Sequence, residues 1–263
     1  MSDLPAYLES GSGPVLVMLH GIGGDGESFR LQLEYFAARC RCIAWHMPGY
    51  GDSPPLPALD FPALAAALLG LLNSLAVAQV HLLGHSIGGM VAQEFAARYP
   101  ERLASLILSA TSPAFGSTDG HWQRQFLAER LAPLDAGQGL AALAPVIVQS
   151  LVGENPDPDG LARARACMAR VPEASYRAAM QALVGFDRRE SLAAITVPTL
   201  VLAGEHDRNA PAVLMAKMAA KIPSARYLCL PGVGHLAYLE QPSLFNTVVG
   251  GFLAPYLSAY AHR

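Results

Sequence analysis

Short runs of apolar residues alternate along the chain with longer segments of helical pattern. A run such as Val15–Leu19 is apolar at every position, which is typical of a strand buried on both faces. Alternation of such strands with helices predicts an α/β fold built on a doubly wound, mostly parallel sheet. The predicted strands are Ala6–Glu9 at one edge, Val15–Leu19, Cys40–Trp45, Val80–Leu83, Leu103–Ser109, Thr199–Ala203 and Ala225–Leu230, and the predicted helices are Glu27–Arg39, Leu59–Leu75, Gly88–Tyr99, Pro211–Lys221 and Ser243–Tyr260.

The alternation stops between about Pro113 and Asp187. This stretch is rich in Ala, Arg and Leu, is broken by Pro and Gly, and carries no strand signal. Because it lies between two predicted sheet strands, it must leave the sheet at the end of one strand and return at the start of the next. We therefore predict a core formed by residues 1–112 and 188–263, with residues 113–187 inserted as a helical cap over one edge.

Composition excludes several classes of protein. Hydrophobic residues make up 52% of the chain, which is enough for a large core and excludes a disordered chain. The 18 Lys and Arg against 21 Asp and Glu leave a net charge of −3, which argues against a nucleic-acid partner. The longest apolar stretch, Phe61–Leu72, falls short of the roughly 20 residues that a membrane span needs. No secretory signal begins the chain, so a cytoplasmic location without a membrane partner is expected.

The pentapeptide Gly84–Gly88 fits the pattern G-x-S-x-G between a predicted strand and a predicted helix. In that context Ser86 is expected on a sharp, strained turn that exposes its hydroxyl, and flanking side chains would clash there. The helix behind the turn directs N–H groups and a positive dipole end toward developing negative charge. Ser86 is therefore the candidate nucleophile.

A serine hydroxyl needs a base within reach and an acid that orients the base. Asp207 follows the predicted strand Thr199–Ala203, and His235 follows Ala225–Leu230. Because parallel strands end at the same edge of a sheet, both loops are expected beside Ser86. This predicts a Ser86-His235-Asp207 triad, with Glu205 as the alternative acid.

A glycine-rich loop, His20–Gly24, follows the first apolar strand and suits an oxyanion hole. The backbone N–H of Ile22 and that of Ile87, the residue after the nucleophile, are the expected donors. The same loop also fits the dinucleotide pattern G-x-G-x-x-G, but the next strand lacks the acid that would hold a ribose. The four cysteines match no zinc spacing. We expect neither a cofactor nor a metal.

Five motifs follow one another along the chain: HGIGG (His20–Gly24), PGYGDS (Pro48–Ser53), GHSIGG (Gly84–Gly89), GEHD (Gly204–Asp207) and GVGH (Gly232–His235). In this order they resemble the motifs of the α/β-hydrolase superfamily, and the resemblance covers the whole chain. Within the superfamily the chain looks like 3-oxoadipate enol-lactonases, which are small capped hydrolases. A serine at the turn, rather than an aspartate, implies acyl chemistry.

The resemblance implies a cofactor-free serine hydrolase that cleaves a small ester or lactone through an acyl-enzyme. Because enol-lactones are anionic, Trp122 and Arg124 near the start of the predicted cap are candidate substrate contacts, with Arg124 suited to a carboxylate. The alternative for these two residues is a packed Trp and an exposed helix Arg. Carbon–carbon hydrolases of ring-cleavage products share the triad and stay open, as does a slow-turnover ligand-binding protein on the same fold.

Overall fold

The computed structural model describes residues 4–116 and 120–257, in which one seven-stranded sheet has the order β1-β3-β2-β4-β5-β6-β7. Neighbouring strands run parallel except β1, which pairs antiparallel with β3 at one edge. The predicted mostly parallel α/β sheet is confirmed. The strands are β1 (Tyr7–Ser10), β2 (Val15–Leu19), β3 (Arg41–Trp45), β4 (Val80–His85), β5 (Leu103–Ser109), β6 (Thr199–Gly204) and β7 (Ala225–Leu230).

Helices cover both faces of the sheet, and some begin at a side-chain cap. The Asp60 carboxylate accepts from the N–H of Ala63 at 2.7 Å and so starts α2. The helices are α1 (Arg30–Phe36), α2 (Phe61–Ser74), α3 (Ile87–Arg98), α4 (His121–Asp135), α5 (Leu140–Leu151), α6 (Pro158–Arg170), α7 (Glu173–Leu183), α8 (Ala212–Ala219), α9 (Ala237–Glu240) and α10 (Pro242–Leu257).

All five predicted helices differ from the structure in their bounds, three of them by only one or two residues at each end. The predicted helix Glu27–Arg39 is a 3-10 turn, Gly26–Phe29, followed by the shorter α1. The Asp25 carboxylate accepts from the N–H of Glu27 at 2.9 Å and tightens that first turn. The predicted C-terminal helix Ser243–Tyr260 starts one residue earlier, and Tyr260 lies outside the described residues.

The core lies on both sides of the central strands. Every residue of β4 and of β6 is buried, although β4 includes His81 and His85. The edge strand β7 exposes several of its residues instead. Because these strands are parallel, they end at the same edge of the sheet, where the loops after β2, β4, β6 and β7 meet.

Four helices, α4 to α7, lie between β5 and β6, and the described residues there form no strand. Ala114 and Asp187 form an antiparallel bridge where the chain leaves and returns, and the N–H of Arg188 donates to Pro113 at 2.7 Å. We call residues 113–187 the inserted segment. Within the described ranges, no helix is both long and apolar enough to cross a membrane.

Candidate active site

Ser86 occupies the sharp turn between β4 and α3. Its backbone has φ +54° and ψ −121°, a strained conformation that non-glycine residues rarely adopt. The turn also requires close backbone approaches, because a Cβ on Gly84 would lie 2.3 Å from the carbonyl oxygen of Gly88. A Cβ on Gly88 would lie 2.2 Å from the carbonyl oxygen of Leu19. These two glycines let the strand, the turn and the helix pack as the predicted motif requires.

Ser86, His235 and Asp207 form a continuous hydrogen-bonded chain. His235 Nε2 lies 3.1 Å from Ser86 Oγ, and His235 Nδ1 lies 2.8 Å from Asp207 Oδ2. All three groups come from loops that follow parallel strands, β4, β7 and β6 respectively. An imidazole held in this way can accept the hydroxyl proton at Nε2 while its Nδ1–H is retained by the carboxylate.

The Asp207 carboxylate is held by more than the imidazole. Its Oδ1 accepts from the N–H groups of Asn209 at 2.8 Å and Ala210 at 3.0 Å. Burial alone would raise the pKa of Asp207, but His235 and these two N–H groups hold that pKa below its ordinary value. Asp207 therefore remains ionised at neutral pH, as an orienting carboxylate must.

The alternative acid, Glu205, points away from this chain of groups. It is exposed, and its Oε2 accepts from the N–H of Gly232 at 2.8 Å. The neighbouring His206 is also exposed, with Nε2 3.4 Å from a Glu154 oxygen. The geometry thus favours Asp207 over Glu205 as the partner of His235.

The loop after β2 lies against Ser86. A Cβ on Gly21 would be 3.3 Å from Ser86 Cβ, and Ile22 lines the same cavity as Ser86. His20 shapes the loop, because its Nδ1–H donates to the Gly21 carbonyl at 2.8 Å and its Nε2 accepts from the N–H of Met47 at 3.0 Å. Burial lowers the pKa of His20 to about 4, so the ring is neutral and keeps this tautomer.

Ile87 is the second predicted oxyanion donor. It is the first residue of α3, and the first N–H groups of a helix have no acceptor within the helix. The N–H of Ile87 therefore belongs to the positive end of the helix dipole, directly after Ser86.

A cavity of about 300 Å³ separates Ser86 and His235 from the inserted segment. Most of its wall is apolar. Among the described residues that line it, the charged side chains are two arginines, Arg130 and Arg208, and none is a carboxylate. No group of three His, Cys, Asp or Glu within residues 4–116 and 120–257 could hold a metal ion.

The two predicted substrate contacts on α4 have different positions relative to the cavity. Trp122 lines the cavity and stacks on Phe126 with ring centroids 5.3 Å apart, whereas Arg124 is exposed and is not among the described lining residues. Residues 122, 126 and 130 recur every four positions and so share one face of a helix. Arg124 is two positions after Trp122, about 200° around the helix. Helical spacing alone could have indicated Arg130 in place of Arg124.

Arg130 is the residue that the motif search missed. Its guanidinium lies 5.4 Å from the centroid of the Phe126 ring. Burial raises the pKa of Tyr176, and the positive charge of Arg130 nearby acts in the opposite direction. Within residues 4–116 and 120–257 no carboxylate pairs with Arg130, so among these residues its charge has no counter-ion.

Comparison with known proteins identifies the family. The sequence profile of the alpha/beta hydrolase fold matches residues 14–242. The chain belongs to the α/β hydrolases. Its relatives include esterases and hydrolases, and this α/β hydrolase is an enzyme of that class, as the motifs predicted.

Individual relatives cover the α/β hydrolase over nearly its full length. A pimeloyl-[acyl-carrier protein] methyl ester esterase from Aeromonas hydrophila is 30% identical over 92% of this chain and 96% of its own. Polyketide synthase ThaQ from Burkholderia thailandensis is 31% identical over 96% of this chain, which spans only 12% of the synthase.

Solved structures agree with the sequence relatives. An esterase from Thermogutta terrifontis has a TM-score of 0.86 at 29% identity, covering 95% of this chain and 93% of that one. The enol-lactonase from Burkholderia xenovorans has a TM-score of 0.84 at 25% identity, covering 95% and 96% respectively. The expected resemblance to α/β hydrolases is confirmed.

Proposed function

We propose that this α/β hydrolase is a cofactor-free serine hydrolase that cleaves a small ester or lactone through an acyl-enzyme. The observation that carries the proposal is the hydrogen-bonded chain from Ser86 through His235 to Asp207, at the wall of a cavity. The relatives include a methyl ester esterase and an enol-lactonase, whose names fit this class.

In the proposed mechanism, His235 Nε2 takes the Ser86 proton as Oγ bonds to the substrate carbonyl carbon. The carbonyl oxygen becomes an oxyanion beside the N–H groups of Ile22 and Ile87. The tetrahedral intermediate expels the alkoxide or enolate, which receives the proton from His235. Water then attacks the acyl-Ser86 ester, gives its proton to His235, and releases the acid with Ser86 restored.

We further propose that the inserted segment acts as a cap and that the substrate bears a carboxylate. The cavity wall has arginine charge and no carboxylate among its described residues, so an anionic group is favoured there. Arg130 is better placed than the exposed Arg124 to bind the substrate carboxylate, because its guanidinium is half-buried on the Phe126 ring. The volume of about 300 Å³ suits a small substrate.

The nucleophile is tested by steady-state hydrolysis of p-nitrophenyl acetate with Ser86→Ala. We expect kcat/KM to fall by about 10,000-fold or more, since one member of a triad is removed. Ser150→Ala is the matched control, because this exposed hydroxyl on α5 only bonds the Ile147 carbonyl. Equal, negligible activity of wild type and Ser86→Ala would favour the ligand-binding protein. Hydrolysis of a vinylogous diketone but not of esters would assign carbon–carbon cleavage.

The carboxylate is tested with monomethyl adipate against dimethyl adipate. In Arg130→Gln we expect KM to rise roughly 10- to 100-fold for the monoester, because a charge-assisted hydrogen bond is lost. For the neutral diester we expect less than about a 3-fold change. Arg124→Gln, on the same helix but exposed, should leave KM unchanged for both esters. If Arg130→Gln raises KM equally for both esters, the proposal that the substrate bears a carboxylate is overturned.

A further inference from the structure

Glu240, at the end of α9, is a buried carboxylate that is only 2% exposed. Three backbone N–H groups donate to it. Oε2 accepts from Gly153 at 2.6 Å and from Gly234 at 2.9 Å, and Oε1 accepts from Leu236 at 2.8 Å. The carboxylate therefore satisfies three N–H groups, two of them buried, that would otherwise lack an acceptor.

The donors belong to two different parts of the molecule. Gly234 and Leu236 flank His235 on either side, whereas Gly153 follows α5 in the inserted segment. The main chain of Glu240 repeats this link, because its carbonyl accepts from the N–H of Asp157 at 2.8 Å. A single residue thus bonds the loop that carries His235 and holds the inserted segment at two points.

The two loops also contact each other directly. The N–H of His235 donates to the Leu151 carbonyl at 2.6 Å, and the N–H of Glu154 donates to the Gly232 carbonyl at 2.7 Å. A Cβ on Gly153 would lie 2.3 Å from the carbonyl oxygen of Gly232, so the backbones are in contact with no side chain between them. The backbone of His235 consequently rests on the inserted segment, while its imidazole reaches Ser86.

We propose that Glu240 is a positioning residue that sets the distance between His235 Nε2 and Ser86 Oγ and couples it to the seating of the inserted segment. The inference rests on the proposed triad. Its physical basis is that reacting groups must be placed to within a fraction of an ångström, and an error of 1 Å far from the chemistry can reduce rates about 100-fold. Because the three N–H groups share one acceptor, losing it frees both sides of His235 together.

The test is Glu240→Gln, which keeps the size of the side chain but directs an amide at N–H donors. We expect kcat for p-nitrophenyl acetate to fall about 10- to 100-fold with KM changed less than about 3-fold. We also expect the downfield proton resonance of the His235 Nδ1–H, hydrogen-bonded to Asp207, to broaden or disappear. Recording this resonance requires no substrate, so it reports on geometry even if no ester is hydrolysed.

Two further variants complete the design. Glu94→Gln removes another carboxylate that is 2% exposed, one paired with Arg98 and Arg188, and should lower the melting temperature while leaving kcat and the resonance unchanged. Glu240→Asp withdraws the carboxylate by one methylene and should give intermediate losses, which keeps the test decisive if the Gln variant fails to fold. A folded Glu240 variant with wild-type kcat and resonance overturns the inference. An inert wild type whose resonance still depends on Glu240 refutes the proposed function alone.

Discussion

The loops at the end of the sheet and the inserted segment are held in place in different ways. The loops follow strands that are hydrogen-bonded into one sheet, so the backbone itself brings Ser86, Asp207 and His235 together. The inserted segment is held to the core at separate points instead, by backbone hydrogen bonds such as that from the His235 N–H to the Leu151 carbonyl and by side chains such as Glu240. In the proposed function, the reaction therefore depends on the continuous sheet, and the choice of substrate depends on a part attached at separate points.

The same contrast exists inside the inserted segment, between α6 and α4. Helix α6 packs on the loop after β2, where Arg170 forms an ion pair with Asp25 at 2.8 Å. Helix α4 buries only Leu134 among its residues, although Trp122 and Arg130 contribute to the cavity wall. The helix paired with the loop after β2 thus buries four of its residues, and the helix that buries one contributes the proposed substrate contacts.

Asp207→Asn gives the largest expected effect on the sheet side of this comparison. An amide cannot retain the Nδ1 proton of His235 and favours the wrong tautomer, so kcat should fall by about 10,000-fold while KM changes little. The measurement is steady-state hydrolysis of p-nitrophenyl acetate at pH 7. Glu205→Gln, two residues earlier and exposed, should change kcat by less than about 5-fold. If the Glu205 variant loses as much, the orienting acid has been misidentified.

Acid should destabilise the sheet through His81 on β4. Burial lowers the pKa of His81 from 6.5 to about 4, so the unfolded state binds more protons between those two values. Through this histidine, the free energy of unfolding should fall by about 3 kcal/mol as the pH drops from about 6.5 to 4. Above that range the titration of His81 should have no effect on it.

His81→Asn isolates that contribution, since it keeps a polar atom near Ser105 Oγ, which lies 2.8 Å from Nδ1. Urea unfolding across pH 4 to 7 should show a shallower loss in the variant. An unchanged pH dependence would mean that His81 is protonated in the folded protein near its ordinary pKa.

Arg188→Met tests the attachment of the inserted segment and has the smallest expected effect. Burial alone would raise the pKa of Glu94, but Arg188 and Arg98 hold that pKa below its ordinary value. Removing one partner of a carboxylate this buried should destabilise the protein by about 2 kcal/mol in urea unfolding at neutral pH.

The next residue provides the control. Arg189 pairs with Asp187, but both side chains are about half exposed, at 49% and 48%. Arg189→Met should therefore change stability by less than about 0.5 kcal/mol. Equal losses of stability in the two variants would show that burial of Glu94 does not strengthen its ion pair with Arg188.

The sheet could be predicted from the sequence because its signals are local. Val15–Leu19, Leu103–Ser109 and Ala225–Leu230 are strands with the predicted bounds, since each is a mostly apolar run followed by polar or turn residues. The α/β-hydrolase fold is confirmed for the same reason. The glycines around Ser86 likewise predict a turn in which the backbones approach too closely for larger residues.

What sequence reasoning missed depends on contacts between distant segments. Glu240 accepts from Gly153, 87 residues earlier, and nothing local marks either residue as a partner of the other. Helical spacing places Arg130 on the same face as Trp122, but no motif marks it, and Arg124 is the first Arg after Trp122 in the sequence. The 3-10 turn at Gly26–Phe29 depends on the orientation of one carboxylate, Asp25, which hydrophobic pattern does not report.

The bridge between Ala114 and Asp187 brings the two ends of the inserted segment next to each other. The entropic penalty of closing a loop grows only with the logarithm of its length, by about 0.6 kcal/mol for each doubling. The sheet is therefore nearly indifferent to how many residues stand between those two positions. A helical insert of another length or composition could replace this one without altering the strand order, so the same Ser86, His235 and Asp207 could serve a different substrate.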